Sequence, residues 1–424
     1  MIFGKLLQNL NRVLLAALLF GCTVPTESPI TSATLPPTSV TTQVPTAPLI
    51  STPTPEHISR FEECIASSGS WLLGTYPRQC ITKNGEIFID ALEEGIIFSR
   101  TYANTALREK GRFITSTSDG GYLIAGDANY GCWVLKLDAS GEKEWESSFE
   151  EEIRKEVQLY DIGFSCFLAR QTSDDGYVIM GKGFDLYTGL FKELFFLITL
   201  DRDGNMASGQ VIAQKAGKTP SLAQDGRLVR LTSIGTLEQW TETADGSYIV
   251  VSKYPESSPE SRTHITKTDE AGNYVWERNL CLDKNIQQTT EKKVVCSQNS
   301  YVRDVIQLQD GGFVMTGVLF AGDWLLKTDV DGNVEWIREY GATGYALLPL
   351  SGGGFLIAGD QNGDGVVIKM DSDGLVQWSR TFGGMGTSDG FVGMEYGING
   401  EITMMGSMDA KALWLLGLDI KIMK

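Results

Sequence analysis

Short apolar runs alternate with tight Gly-containing turns along most of the chain, and the alternation repeats. One unit is "DGGFVMTGVLFAGDWLLKTDVDGNVEWIREYG", Asp310 to Gly341. Another is "GGGFLIAGDQNGDGVVIKMDSDGLVQWSRTFGG", Gly352 to Gly384, and a third is "DGGYLIAGDANYGCWVLKLDASGEKEWESSF", Asp119 to Phe149. Looser copies begin at Asp174, Asp245 and Asn399, so there are six starts, about 42 to 71 residues apart. Each unit parses as four strands. One approaches the Asp-Gly turn, a second leaves it ("GFVMTG"), a third follows ("DWLLKTD"), and a second tight turn leads to a fourth ("NVEWIREY"). Apolar runs joined by Asp-Gly or Gly-Gly are hairpin signals, because those pairs accept the left-handed backbone that tight turns need. Four antiparallel strands repeated at this period predict an all-β fold, a β-propeller of six four-stranded blades, or seven if the irregular stretch 213–235 hides extra strands.

The fourth strand carries a second pattern. "DVDGNVEW" from Asp329 recurs as "DASGEKEW" (Asp138), "DEAGNYVW" (Asp269) and "DSDGLVQW" (Asp371). Gly falls at the fourth position of each, whereas an EF-hand loop needs it at the sixth, between acidic ligands. These read as turns: Asp caps, Gly takes the left-handed conformation, and Trp packs the outer strand between blades. The associated W-x-R-x-[YF], as in Trp336, Arg338, Tyr340 and Trp378, Arg380, Phe382, places aromatic and Arg side chains on one strand face. It is expected to pack blade on blade with Arg laid over the rings. One loop does have calcium spacing: "DQNGDGVVIKMD" puts Asp360, Asn362 and Asp364 at positions one, three and five, with Asp371 at twelve. The competing reading is a hairpin between two strands, with Asp371 belonging to the next turn. These four residues are the candidate Ca2+ ligands.

The last unit stops after a third strand, "LWLLGLDIKIMK", and "FSRTY" (Phe98 to Tyr102) matches "WSRTF" (Trp378 to Phe382). Residues 94–102 are therefore expected to complete the last blade, which removes an open sheet edge and ties the ring shut. The layout D-G-G-[YF], W-x-x-K-x-D, G-x-x-W resembles the quinoprotein-dehydrogenase-like (PQQ-like) family of bacterial propeller repeats over most of 94–424. The resemblance implies architecture. Quinoprotein dehydrogenases carry a vicinal Cys-Cys beside their cofactor; this chain has no such pair, so no cofactor is expected.

The N-terminus reads as an address. Lys5 and Arg12 precede a short apolar run, Val13 to Phe20, too short to span a bilayer comfortably. "LFGC" then resembles the bacterial lipobox, which implies cleavage after residue 21 and acylation of Cys22. From Thr23 to Pro55 the chain is Thr, Pro and Ser with Glu27 as its only charge, an extended linker that cannot bury a core. The expected organisation is a signal peptide at 1–21, a linker at 22–57, a small module at 58–90 and the propeller at 91–424. The small module resembles short Cys-pair modules of extracytoplasmic bacterial proteins. Lipidation of Cys22 leaves six cysteines, an even number suited to an oxidising compartment. Cys64 with Cys80 and Cys281 with Cys296 each flank a short loop and are expected disulfides, whereas Cys132 and Cys166 either pair or are simply buried.

Charge narrows the function. Formal net charge is −17, with 53 acidic residues against 36 basic. A surface that must neutralise phosphates has the opposite balance, so nucleic acid is not an expected partner. Two histidines, His57 and His264, leave little for His-based zinc sites or Ser-His-Asp triads. The expected partners are a lipid bilayer, through acylated Cys22, and a protein or glycan ligand. The expected location is a cell membrane or outer membrane, on its extracytoplasmic side. The expected role is a binding or scaffold propeller with no evident catalytic site, using the long loops at 181–194, 213–235, 253–262 and 281–299. The alternative is an enzyme acting on glycans or another envelope polymer through paired carboxylates in the central channel.

Overall fold

A computed structural model describes residues 95–102, 110–129, 131–157, 162–185, 191–212, 218–232, 236–253, 263–280, 300–319, 322–383, 389–408 and 412–421, with three short strands and residue 83 from the stretch 71–89. Those short strands, β1 (Trp71–Leu73), β2 (Gln79–Ile81) and β3 (Ile87–Ile89), form one antiparallel sheet. Cys80 lies on β2, whereas Cys22, Cys64, Cys281 and Cys296 fall outside the described residues, and with them the lipidation and both expected pairings.

The remaining sheets form a six-bladed propeller. The first blade is β5 (Lys110–Ser116), β6 (Tyr122–Ala128), β7 (Gly131–Leu137) and β8 (Lys143–Ser148). A helix, α1 (Glu150–Val157), leads to the second blade: β9 (Ile162–Gln171), β10 (Tyr177–Asp185), β11 (Phe191–Leu200) and β12 (Met206–Ile212). The hairpin β13 (Lys218–Leu222) and β14 (Leu228–Thr232) follows. The third blade is β15 (Thr236–Glu242), β16 (Tyr248–Lys253), β17 (Thr263–Thr268) and β18 (Tyr274–Leu280). The fourth is β19 (Ser300–Gln307), β20 (Phe313–Leu319), β21 (Gly322–Thr328) and β22 (Val334–Arg338). The fifth is β23 (Thr343–Pro349), β24 (Phe355–Gln361), β25 (Asp364–Met370) and β26 (Val376–Phe382). The sixth joins β27 (Gly390–Tyr396), β28 (Ile402–Met408) and β29 (Ala412–Leu418) to β4 (Ile96–Tyr102), which pairs antiparallel with β29 as the sequence match predicts.

The first strand of each blade is the innermost. Thus β5 packs against β9, β15 against β19, β19 against β23, β23 against β27 and β27 against β5. Between the second and third blades the hairpin fills a ring position: β13 touches β9, and β14 packs on β16 and β17. The stretch 213–235 therefore does hide two strands, though not a full blade. Pro220 sits on β13, an inner strand whose far side faces the channel, so its missing N–H costs little there. The second strands are apolar and almost wholly buried, as in β6 and β28, because each lies between neighbouring sheets. A disulfide, Cys132–Cys166, joins β7 of the first blade to β9 of the second across a Cα–Cα distance of 5.0 Å.

The Asp-x-x-Gly turns have the geometry the sequence implies. In all five, the Asp carboxylate accepts two backbone N–H groups, as Asp329 does from Asp331 (3.0 Å) and Asn333 (2.8 Å). The Gly is left-handed, with φ of +81° at Gly141, +78° at Gly332 and +73° at Gly374. A fifth copy at Asp201 and Gly204 lacks a following Trp and so escapes the sequence pattern. Three of the four Trp lie on the turn of the next blade: a Cβ on Gly204 would stand 2.5 Å from Trp145, one on Gly332 2.8 Å from Trp276, and one on Gly374 2.7 Å from Trp336. Arg278 lies 5.2 Å from the centre of Trp276 and Arg338 5.4 Å from that of Trp336, and Arg338 Nε donates to the Asp373 carbonyl at 2.8 Å. The W-x-R face is a blade-to-blade contact, as expected.

In the first and fourth blades a Lys of the third strand ties the blade together. Every fourth strand carries a one-residue bulge, at Glu144 in β8 and Glu335 in β22. Lys136 is 1% exposed and reaches Glu144 and the turn residue Asp119, both at 2.8 Å. Lys327 does the same with Glu335 (3.0 Å) and Asp310 (2.5 Å). Burial of an ammonium is tolerable here because two carboxylates compensate it. Hydrogen bonds from Lys136 and Thr117 hold Asp119 down at about 2, against the opposing effect of its partial burial.

Candidate functional site

The first strands of the six blades share an irregularity that the sequence pattern does not announce. Each has one residue too many for its neighbour, a β-bulge: Arg112 in β5, Phe167 in β9, Glu238 in β15, Arg303 in β19, Tyr345 in β23 and Val392 in β27. A bulge breaks the in-out alternation and re-aims a side chain. All six bulged residues line one cavity of about 720 Å³ at the centre of the ring. The cavity is in the size range of small-molecule sites. Inner strands begin at the face where second strands end. The strand ends that flank 186–190, 213–217, 254–262 and 281–299 lie at that face, on the side of the bulges. Residues 181–185 and 191–194 are strand, with Phe184 opposite Phe191, which trims the first of the long loops named from sequence.

The channel wall is chemically divided. Along β5 and β9–β11 stand Arg112, Arg170 and Lys182, with Phe113, Phe167 and Phe195 between them. Arg170 lies 4.9 Å from the centre of Phe113, and Lys182 lies 5.4 Å from that of Phe167. Arg112 pairs with Asp127. Burial lowers both Arg170 and Lys182, and for Lys182 the nearby Arg112 charge pushes the same way. Two carboxylates near Arg170, Glu395 and Glu242, act against its depression.

The opposite wall carries acids. Glu238 accepts the Val302 N–H at 3.0 Å, and burial pushes it up to about 7. Asp304 accepts the N–H groups of Val305 (2.8 Å) and Leu347 (2.7 Å), and burial pushes it to about 7 as well. Each reaches from its own inner strand to the next, so these two carboxyls also staple the third, fourth and fifth blades together. Glu395, on β27, does not line the cavity and acts on Arg170 of the cationic wall; it is raised to about 7 by burial and accepts the Tyr396 N–H at 3.1 Å. Arg303 is held by Asp323 (2.5 Å) and lies 4.5 Å from the centre of Tyr345.

The calcium-spaced residues do not converge. Asp360 ends β24 and Asp364 begins β25, and Asn362–Gly363 is the two-residue turn between them, with φ of +57° and +92°. Asp371 follows the far end of β25, seven residues away, or roughly 20 Å at 3.3 Å per residue. There Asp371 caps its own turn through Asp373 (3.0 Å) and Leu375 (2.9 Å). The spacing is thus divided between opposite ends of one strand, so the four do not form one coordination sphere. Among the described residues there is no cluster of three or more His, Cys, Asp or Glu placed to hold a metal ion.

No protein-family model matches the chain, and no curated protein matches it either. Solved structures with a similar fold include a protein of unknown function from Bacteroides caccae, 14% identical over 73% of this chain and 92% of that one, with a TM-score of 0.35. A catalytically inactive virginiamycin B lyase from Staphylococcus aureus with quinupristin is 10% identical over 76% of this chain and 99% of that one, with a TM-score of 0.44. The first two extracellular domains of Drosophila semaphorin 1b are 7% identical over 77% and 87%, with a TM-score of 0.44.

Proposed function

We propose that this chain is a lipid-anchored, extracytoplasmic binding propeller whose ligand enters the central channel from the bulged face. The observation that carries the reading is the ring of six bulges. They occupy equivalent positions in six blades, yet present six side chains of different chemistry to one cavity. Contacts that only hold blades together repeat from blade to blade; a site that recognises an asymmetric ligand must not. Anchoring rests on the sequence alone, on the basic start, the apolar run and Cys22 after "LFG". One acyl chain gives marginal membrane binding, whereas several give a lasting anchor.

A thermal-shift screen of the full chain against envelope saccharides and peptides tests this reading. A true ligand raises the midpoint without being consumed. The shift should disappear in Val392→Arg, which places a long side chain at an exposed channel position without touching the core. Ligands that stabilise wild type and Val392→Arg equally would move the site off the channel. Replacing Cys22 by Ala should release the chain from the membrane fraction.

A second reading has its own support. Glu238 and Asp304 are held near neutrality in the channel, which is where a general acid or base works best. That favours an enzyme acting on an envelope polymer. A screened ligand recovered in pieces, with cleavage abolished by Glu238→Gln, would establish it.

A further inference from the structure

The division of the channel wall points to a chemical class of ligand. Of the eight residues that β5 and β9–β11 give to the lining, three are cations and none is an acid, in a chain whose acids outnumber its bases by 53 to 36. These three cations, Arg112, Lys182 and Arg170, come from adjacent strands and border a wall of phenylalanines. Two buried polar atoms on the same side have no protein partner: Nε of Arg170 on β9 and Oγ of Ser221 on β13. Arg170 spends Nη1 on the Ala169 carbonyl at 3.1 Å and leaves Nε bare. A buried donor without an acceptor is costly, and two in one cavity wall suit a ligand that brings acceptors. A carboxylate accepts from a guanidinium and an ammonium together and gains the extra strength of charge assistance.

The rest of the lining limits what carries the carboxylate. Gln224, Gln239, Thr241 and Ser221 offer amides and hydroxyls, and Trp240 and Tyr345 offer ring faces. Hydroxyls around an edge and C–H groups on a face are the features of a sugar ring, and this mixture answers both. Glu238 and Asp304 stand on the opposite wall and oppose a second negative charge. The net charge of −17 repels a long polyanion before it arrives.

We infer that the channel binds a short saccharide bearing a single carboxylate, with the carboxylate held by Arg112 and Lys182, whose charges act on each other, and the sugar faces toward Trp240 and Tyr345. The inference rests on the reading of the channel as the binding site and gives that site its ligand class.

Titration calorimetry of the full chain tests it with three probes: a glucuronate–xylose disaccharide, xylobiose and benzoate. The acidic disaccharide should bind at least tenfold tighter than either of the others. Lys182→Gln and Arg112→Gln should each weaken it at least tenfold, and Arg112→Lys should recover part of the loss. A thermal midpoint for Lys182→Gln close to wild type shows that the fold is intact. Equal binding of xylobiose, equal binding of benzoate, or full binding by Lys182→Gln would each overturn the inference. Binding of none of the three would overturn it too. Any of these results leaves the channel reading to the wider screen with Val392→Arg, so the two fail separately.

Discussion

The outer rim and the inner ring of this propeller are built with the same device and put it to opposite uses. Both the innermost and the outermost strand of every blade carry a one-residue bulge. On the rim, the surroundings of the bulge recur: a buried Lys bound to a turn Asp in the first and fourth blades, and a Trp seated on the next blade's Gly in the first, third and fourth. In the ring, the bulged residue differs each time: Arg112, Phe167, Glu238, Arg303, Tyr345 and Val392. A repeat protein must keep its nearest-neighbour contacts alike, because each blade packs only on two others. It is free to diversify what faces the shared axis. Stability should therefore concentrate on the rim and recognition in the ring, and substitutions can separate the two.

The largest effect is expected at Gly332. Its φ is +78°, and a Cβ there would stand 2.8 Å from the Trp276 ring of the preceding blade. Gly332→Val imposes a left-handed β-branched residue and a clash together, which should cost about 3–4 kcal/mol. Calorimetry should show a midpoint lowered by several degrees, with channel ligands binding normally to the protein that remains folded. Equal stability of the variant would show that the rim tolerates more than its repetition suggests.

The ring should respond to pH where the rim does not. A carboxyl in the unfolded chain titrates near 4. Asp304, Glu238 and Glu395 titrate at about 7 when folded. Between these values the folded state holds protons that the unfolded state has released, so stability falls as pH rises from about 4 to about 7. Rim aspartates act in reverse. Asp119, held at about 2 by Lys136 and Thr117, loses its contribution only as pH falls from about 4 towards 2. On these groups stability should peak near pH 4. Asp304→Asn removes the most enclosed of the ring carboxyls and should flatten the decline between pH 5 and pH 8, by an amount on the order of 2–3 kcal/mol. An unchanged slope in denaturant titrations would mean that Asp304 is ionised in the folded protein at neutral pH.

The rim was legible in the sequence because it repeats. Asp, Gly and Trp at fixed spacing stated the turn, its handedness and the strand after it, and "FSRTY" matched "WSRTF" closely enough to place β4 beside β29. The hairpin β13–β14 was half legible. Asp225-Gly226 is the same turn signal found elsewhere, but a Pro such as Pro220 disfavours a strand in general, and only the ring places that strand where a lost N–H is harmless. The inner bulges were not legible. They leave no fixed residue type, since re-aiming a side chain demands backbone geometry rather than chemistry. The calcium spacing misled for a related reason. Positions one, three, five and twelve define a sphere only when the chain folds back as a loop, and "GVVIKM" instead extends as β25.

The smallest effect tests the rim's own regularity. The turns between first and second strands place a left-handed Gly at residues 120, 246, 311, 353 and 400, with φ from +75° to +86°. In the second blade that position is Asp175, with φ of +63°. Its side chain is exposed, while the neighbouring Asp174 accepts the Thr172 hydroxyl at 2.6 Å, so the carboxylate that shapes the turn is not Asp175. Asp tolerates the left-handed region better than most residues but still pays for its Cβ there, and Gly would remove that cost. Against this, Gly loses more freedom on folding, by about 0.4–1 kcal/mol. The balance favours Asp175→Gly by about 0.5 kcal/mol, a rise of one or two degrees in thermal midpoint. Loss of stability instead would show that Asp175 contributes beyond its backbone, and that the second blade, the one joined to its neighbour by Cys132–Cys166, departs from the rule its sisters follow.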